Sequence, residues 1–121
     1  MLDDLSERAR DHFRTPRNAG AFACPDAAAT VQNDACGDVL KLSLAFESGR
    51  IREARFKTFG CAASIAAGSV LTELVQGLSL EQALALGSDD VLRALDGLPE
   101  HRRHAATLAV DCLRKALESP S

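Results

Sequence analysis

The sequence predicts an α+β fold, in which a small antiparallel three-stranded sheet packs against about five helices and the longest helix lies at the carboxyl end. Residues 40–46 alternate apolar and polar side chains, the period of a strand that buries one face. Residues 62–76 are apolar on most sides, as in a buried helix. Apolar residues recur at helical spacing from about Glu100 to Glu118. At 121 residues we expect one domain, 1–121.

The first half of the chain predicts one helix, a long loop and a hairpin. Helical spacing of apolar residues predicts a short amphipathic helix over residues 3–15, which Pro16 ends. Residues 15–34 hold many turn-forming residues and little periodicity, which predicts a loop. Ser48-Gly49 is the expected turn between the strand at 40–46 and a less regular strand at 51–59. Two or three antiparallel strands are therefore expected.

The second half is predicted to be helical. Gly77 should end the helix over 62–76, and three more helices are expected over residues 79–86, 88–95 and 100–118. Ser79 and Gln82 have the spacing of a capping box, and Ser88 is the expected cap of the next helix.

Composition excludes several classes of protein. The net charge of −3 and a pI near 5.5 offer no surface for a phosphate backbone, so nucleic acid is not an expected partner. No apolar run approaches the length of about 20 residues that spans a bilayer, so no membrane association is expected. The acidic start of the chain does not resemble a secretory signal. We expect a cytoplasmic protein, whose cysteines remain thiols.

The first candidate site is Cys36-Gly37-Asp38, where the predicted loop meets the first strand. A thiol and a carboxylate two residues apart can face one ion across a turn that Gly37 makes flexible. Taken alone, the tripeptide is equally compatible with a buried thiol beside a turn aspartate.

The second candidate is Cys61, which follows a glycine and precedes the buried helix. Unpaired backbone N–H groups and the helix dipole stabilise negative charge there, so a functional thiolate is favoured over core packing. His104, near the start of the last helix, can supply an imidazole, although a lone histidine on a helix is more often structural. His101 lies one turn earlier and is an alternative. Cys112 lies on the apolar stripe and is expected to be core.

Two thiols, a carboxylate and an imidazole are suitable ligands for zinc or for part of an iron–sulfur shell. Their spacing alone does not identify a metal site. No nucleophile with an evident base and no phosphate-binding glycine loop is found, so an enzyme is not expected.

Taken in order, segments across nearly the whole chain resemble the amino-terminal family of IscU and NifU proteins. The matching segments are His12-Phe13, Pro16-Arg17-Asn18 and Gly20, residues 35–42, residues 54–61, Ser64-Ile65-Ala66, Ser69, Thr72-Glu73, Gly77, Ser79-Leu80, Ala83, Leu98-Pro99, His104, Leu108-Ala109 and Asp111.

The resemblance implies a scaffold that assembles a [2Fe–2S] cluster and passes it to acceptor apoproteins, with sulfur supplied by a cysteine desulfurase. Members of the family also commonly hold zinc at the same site. The family's ligand positions fall here on Cys36, Cys61 and His104, and its aspartate, which affects cluster lability and can bind zinc, falls on Asp38.

The chain departs from the family pattern at two places. The third cysteine of the family should follow His104, where this chain has Ala105. Residues 98–102 match the family's chaperone-binding segment only at its start, so handling by an Hsp70-type chaperone is a doubtful expectation. Without the third thiol, three outcomes stay open: a more labile cluster, a zinc-binding regulatory or sulfur-carrier module that interacts with a desulfurase, or a degenerate relative that binds no metal.

Overall fold

The computed structural model describes residues 4–33 and 37–118, and it has the α+β architecture that the sequence predicts. The elements in chain order are α1 (Glu7–Arg14), β1 (Ala27–Asn33), β2 (Asp38–Glu47), β3 (Arg50–Phe59), α2 (Ala62–Val75), α3 (Leu80–Leu84), α4 (Ser88–Ala94) and α5 (His104–Glu118). A short 3₁₀ helix, Glu100–Arg102, precedes α5. Within the described ranges, no helix is both long enough and apolar enough to cross a bilayer.

The three strands form one antiparallel sheet in the order β1-β2-β3. Ser48 and Gly49 join β2 to β3 with positive φ angles of 54° and 76°, which confirms the predicted hairpin turn. Period two places Leu40, Leu42 and Leu44 on one face of β2, where all three are buried. This face of the sheet forms the floor of the core.

Helices α2 and α5 cover the buried face of the sheet. Helix α2 packs against β3, and α5 packs against β1 and β2. The apolar stripe predicted on α5 is buried along its length, comprising Ala105, Leu108, Ala109, Cys112, Leu113 and Ala116. Because α2 follows β3 directly, its amino terminus lies at the end of the sheet where β3 ends and β2 begins.

The prediction of a loop over residues 15–34 is wrong for its second half, because residues 27–33 form strand β1. Ala27, Ala29 and Val31 pair with Leu44, Leu42 and Leu40 of β2 and lie on the same face. Alanine has low strand propensity and produces little hydropathy contrast, so the alternation is weak in the sequence. Pairing with the regular strand β2 overrides this local preference.

Helix α1 begins later than predicted, and α4 has a different cap from the one predicted. Helix α1 begins at Glu7 rather than at residue 3, because Ser6 is the N-cap and its Oγ accepts from the Ala9 N–H. Helix α4 begins at Ser88, so Ser88 is not the cap. The cap is Gly87, whose N–H donates to the Asp90 carboxylate at 2.8 Å.

The capping box at Ser79 and Gln82 is confirmed, and α3 ends at Leu84, two residues before the predicted end. The predicted helix over 100–118 is interrupted. Pro99 is followed by i to i+3 hydrogen bonds of the 3₁₀ helix, and α5 begins only at His104. As a result, His104 occupies the first turn of α5.

Candidate metal centre

Three potential metal ligands from separate elements meet at one end of the sheet. Asp38 is the first residue of β2, Cys61 is the N-cap of α2, and His104 is the first residue of α5. Antiparallel pairing of Val39 with Phe59 brings the start of β2 beside the end of β3, and Cys61 follows two residues later. The fold therefore unites residues that are up to 66 positions apart.

The ligand atoms of these residues all lie within 4.8 Å of one another. His104 Nε2 is 3.3 Å from Asp38 Oδ2, and Cys61 Sγ is 3.9 Å from the same oxygen. Zinc bond lengths of about 2.0 Å to nitrogen and oxygen and about 2.3 Å to sulfur give tetrahedral separations of about 3.3 Å and about 3.5 Å for these two pairs. The two observed distances from Asp38 Oδ2 are therefore close to those expected around one shared metal ion.

Burial also favours a cation at this place. The Asp38 side chain is only 6% exposed, whereas that of His104 is 27% exposed and Cys61 is half-buried. A buried carboxylate requires compensation by hydrogen bonds or positive charge, because leaving it unpaired in a low-dielectric environment is costly. A metal ion at the junction of the three side chains would supply that charge, and the partly exposed His104 and Cys61 leave it a route of entry.

Two further residues touch this group, and the sequence analysis did not assign them to the site. The Ser64 hydroxyl donates to Asp38 Oδ2 at 2.7 Å and lies 3.7 Å from Cys61 Sγ. Gly60 lies against the Asp38 side chain, since a Cβ built there would be 2.6 Å from Oδ1. The available signals were the i, i+3 spacing of Cys61 and Ser64 and the glycine directly before the cysteine.

Cys36, which was expected as a ligand, lies outside the described residues, as do Asp34 and Ala35. Among the described residues on either side, the Gly37 N–H donates to the Asn33 carbonyl at 2.7 Å. Gly37 has a φ angle of +72°, a conformation that favours glycine.

The alternative ligands lie elsewhere. His101 Nε2 faces Asp4 at 3.4 Å and the side chain is 68% exposed, so His104 and not His101 joins Asp38 and Cys61. Cys112 is fully buried, which confirms its expected place in the core. Cys24 is exposed in the segment before β1. Ala105, where the resemblance implies a third cysteine, is buried.

Comparison with known proteins decides the family. A family model described as the NifU-like N-terminal domain matches residues 4–119. This chain belongs to the NifU-like N-terminal domain family. The resemblance inferred from the sequence segments is therefore confirmed.

Other members of the NifU-like N-terminal domain family are similar to this chain over most of its length. It is 42% identical over 112 residues to iron–sulfur cluster assembly scaffold protein IscU 1 of Archaeoglobus fulgidus, covering 93% of this chain and 73% of the relative. It is 40% identical over 116 residues to the scaffold protein IscU of Escherichia coli K12, covering 93% and 90%. The amino-terminal NifU-like protein of Brucella abortus shares the fold, with a TM-score of 0.76, 22% identity and coverage of 97% and 94%.

Proposed function

We propose that this chain is a scaffold that assembles a labile [2Fe–2S] cluster and passes it to acceptor apoproteins. It would act as a carrier rather than as an enzyme. Cys61, His104 and Asp38 would hold the cluster together with Cys36, and a cysteine desulfurase would supply the sulfur. The observation that carries the proposal is the convergence of Asp38, Cys61 and His104, with all three ligand atoms within 4.8 Å, in a chain of the NifU-like N-terminal family.

The ligand set also predicts how firmly the cluster would be held. Iron–sulfur clusters are normally bound by thiolates, and Rieske centres show that imidazole nitrogen can replace sulfur on one iron. With Ala105 in place of a thiol, the chain would offer two thiolates, one imidazole and one carboxylate. We therefore expect a cluster that is released more readily than one held by three cysteines, which would favour its transfer to an acceptor protein.

A second function is favoured by the mixed chemistry of the three described ligands. Sulfur, nitrogen and oxygen ligands that converge in this way suit zinc, which accepts this mixture readily. In that case the chain would be a zinc-binding module that regulates a desulfurase or carries sulfur without building a cluster. The two functions differ in whether iron and sulfide are retained together.

Anaerobic reconstitution separates the two functions. The purified apoprotein would be incubated with ferrous iron, cysteine, a cysteine desulfurase and a dithiol that reduces the delivered persulfide sulfur to sulfide. The visible charge-transfer absorption, bound iron and acid-labile sulfide would be measured. We expect the absorption of a [2Fe–2S] cluster in the wild type and its loss in Cys61→Ala.

The matched control is Cys112→Ala, which removes a thiol from the core and leaves the three converging ligands in place. It should retain the cluster absorption under conditions in which it is folded. A colourless wild-type product without bound iron would reject the scaffold proposal. One tightly held zinc that iron does not displace would support the regulatory or sulfur-carrier function instead.

A further inference from the structure

The Asp38 carboxylate is held between a hydroxyl on one side and a bare glycine Cα on the other. We propose that Ser64 and Gly60 are positioning residues that fix this carboxylate toward the metal position and thereby set how tightly the site holds its metal. The inference deepens the proposed function and rests on it, because it assigns residues that control the lability of the same site.

Ser64 acts on the oxygen that faces the other two ligands. Its hydroxyl donates to Asp38 Oδ2 at 2.7 Å, and both His104 Nε2 and Cys61 Sγ approach this same oxygen. Ser64 is 2% exposed and lies in the first turn of α2, three residues after Cys61. One short helical segment therefore supplies a ligand sulfur and also orients the ligand oxygen.

Gly60 provides the space that the carboxylate occupies. A Cβ at this position would lie 2.6 Å from Asp38 Oδ1 and 2.8 Å from Cγ, closer than any real contact. Gly60 is not among the glycines with positive φ, so its backbone conformation does not require glycine. The three heavy atoms nearest to such a Cβ all belong to the Asp38 side chain, which therefore supplies the steric requirement for glycine.

These contacts restrict the carboxylate to one orientation before a metal binds. A carboxylate that binds a metal is normally itself hydrogen-bonded, and removing such a partner typically costs about 10- to 100-fold in metal affinity. Without the Ser64 hydroxyl, the Asp38 side chain would have to be ordered by the metal itself. Metal affinity should also fall when a methyl group at residue 60 displaces the Asp38 carboxylate.

The test is zinc binding to the apoprotein in the absence of oxygen, measured by competition with a chromophoric chelator, with cobalt absorption as the report on ligand geometry. We expect Ser64→Ala to weaken zinc binding about tenfold or more. Gly60→Ala should weaken it as well, and Ser64→Thr, which keeps the hydroxyl, should restore part of the affinity. The cobalt spectrum of Ser64→Ala should approach that of Asp38→Ala.

Ser69→Ala is the matched control, because Ser69 is also a buried serine of α2. Its Oγ contacts His12 and the Arg17 N–H rather than the metal ligands. Ser69→Ala should lower the melting temperature while leaving zinc affinity unchanged. In an Asp38→Ala background, Ser64→Ala should cause no further loss of affinity, since Ser64 acts through Asp38.

The inference fails if Ser64→Ala binds zinc as tightly as the wild type, or if its effect persists undiminished in the Asp38→Ala background. An equal loss in Ser69→Ala would also overturn it, because that result would indicate a general loss of stability. These outcomes differ from failure of the scaffold proposal, which is decided by cluster reconstitution and does not depend on relative zinc affinities. A wild type that binds no zinc would overturn the assignment of Ser64 and Gly60 even if a cluster forms.

Discussion

At the scale of single residues, the three described cysteines are buried to different extents, and this determines which of them can react. Cys112 is fully buried, and its Sγ lies 3.4 Å from the Ala29 carbonyl oxygen and 3.5 Å from that of Leu40, so its single S–H can donate to either one. Burial raises the pKa of the Cys112 thiol to about 11. At neutral pH this group is a protonated thiol, and only the thiolate binds metals or attacks electrophiles. Because Cys112 is fully buried and protonated at neutral pH, we do not expect it to serve as an additional ligand of the candidate metal centre.

This difference predicts the order in which thiols react. In the native apoprotein at neutral pH, iodoacetamide should modify the exposed Cys24 first and Cys61 more slowly, and should leave Cys112 unmodified until denaturant is added. Added zinc should protect Cys61 and leave the rate at Cys24 unchanged. Peptide mass spectrometry of timed samples gives the rate at each site. Native modification of Cys112 at the rate of Cys24 would contradict its assignment to the core.

At the scale of elements, a glycine sets the distance between α2 and β3. A Cβ at Gly68 would lie 2.6 Å from Phe56 Cδ2 and 3.2 Å from Leu40 Cδ1. Both neighbours are almost completely buried and cannot move outward. The close packing of this helix on the sheet therefore depends on the absence of a side chain at residue 68. Because α2 carries Cys61 at its amino terminus, the same packing helps to place the thiol.

Gly68→Ala should consequently destabilise the protein, although alanine is the better helix former. Overpacking a dense core costs about 1–3 kcal/mol, and the gain in helix propensity offsets up to about 1 kcal/mol. We expect a net loss of about 1–2 kcal/mol in the free energy of unfolding, measured by urea denaturation.

Phe56→Leu supplies the control for this mechanism. On its own it should destabilise the protein by removing buried ring atoms, but in the double variant it makes room for the alanine methyl. The double variant should therefore lose at least about 0.5 kcal/mol less than the sum of the two single losses. Strict additivity would exclude the proposed contact between residues 56 and 68.

Some helices and strands could be predicted from the sequence, and others could not. The regular alternation in β2 and the apolar character of α2 identify these elements, because each buries a large and continuous apolar surface. Strand β1 was not predicted, because Ala27 and Ala29 differ too little in hydropathy from their neighbours. This strand forms because it pairs with β2.

The same reasoning applies to the site. Asp38, Cys61 and His104 were selected individually by weak local signals and together by resemblance to a family. For Ser64 and Gly60 the local signals were only their places beside Cys61, and these do not reveal the contacts with Asp38, which lies 26 and 22 positions away in the chain. Contacts of this kind become visible only when the sheet and α2 are assembled.

At the scale of the whole molecule, a network of polar contacts connects α1 and the segment after it to helix α2 in the core. His12 of α1 is 7% exposed, and its Nδ1 lies 2.7 Å from Ser69 Oγ of α2. The Arg17 N–H donates to the same Ser69 oxygen at 2.9 Å, and Asn18 Nδ2 donates to Thr72 Oγ1 at 3.1 Å. These bonds fix α1 and the segment that follows it against α2.

The charge state of His12 is set by several neighbouring groups. Burial lowers the pKa of His12 below its ordinary value of 6.5, and the positive charges of Arg17 and, more weakly, Arg8 act in the same direction. The carboxylates of Glu73 and Asp11 oppose this shift without reversing it. Glu73 Oε1 lies 3.5 Å from His12 Nε2 but is half exposed to solvent, which weakens its effect.

The lowered pKa of His12 predicts that the protein becomes less stable to unfolding in acid. Below pH 6.5 the unfolded chain binds a proton that the folded chain resists, so this stabilisation is complete above 6.5 and is lost as the pH falls through the folded pKa. Urea denaturation of the apoprotein, repeated as the pH is lowered from neutral, should show a falling free energy of unfolding. His12→Asn should flatten this dependence, because asparagine offers a polar side chain that does not titrate. His101→Asn, which alters an exposed histidine, should keep the wild-type slope. If the unfolding free energy of His12→Asn falls with pH as steeply as that of the wild type, the acid sensitivity comes from other groups. In that case protonation of His12 does not affect stability.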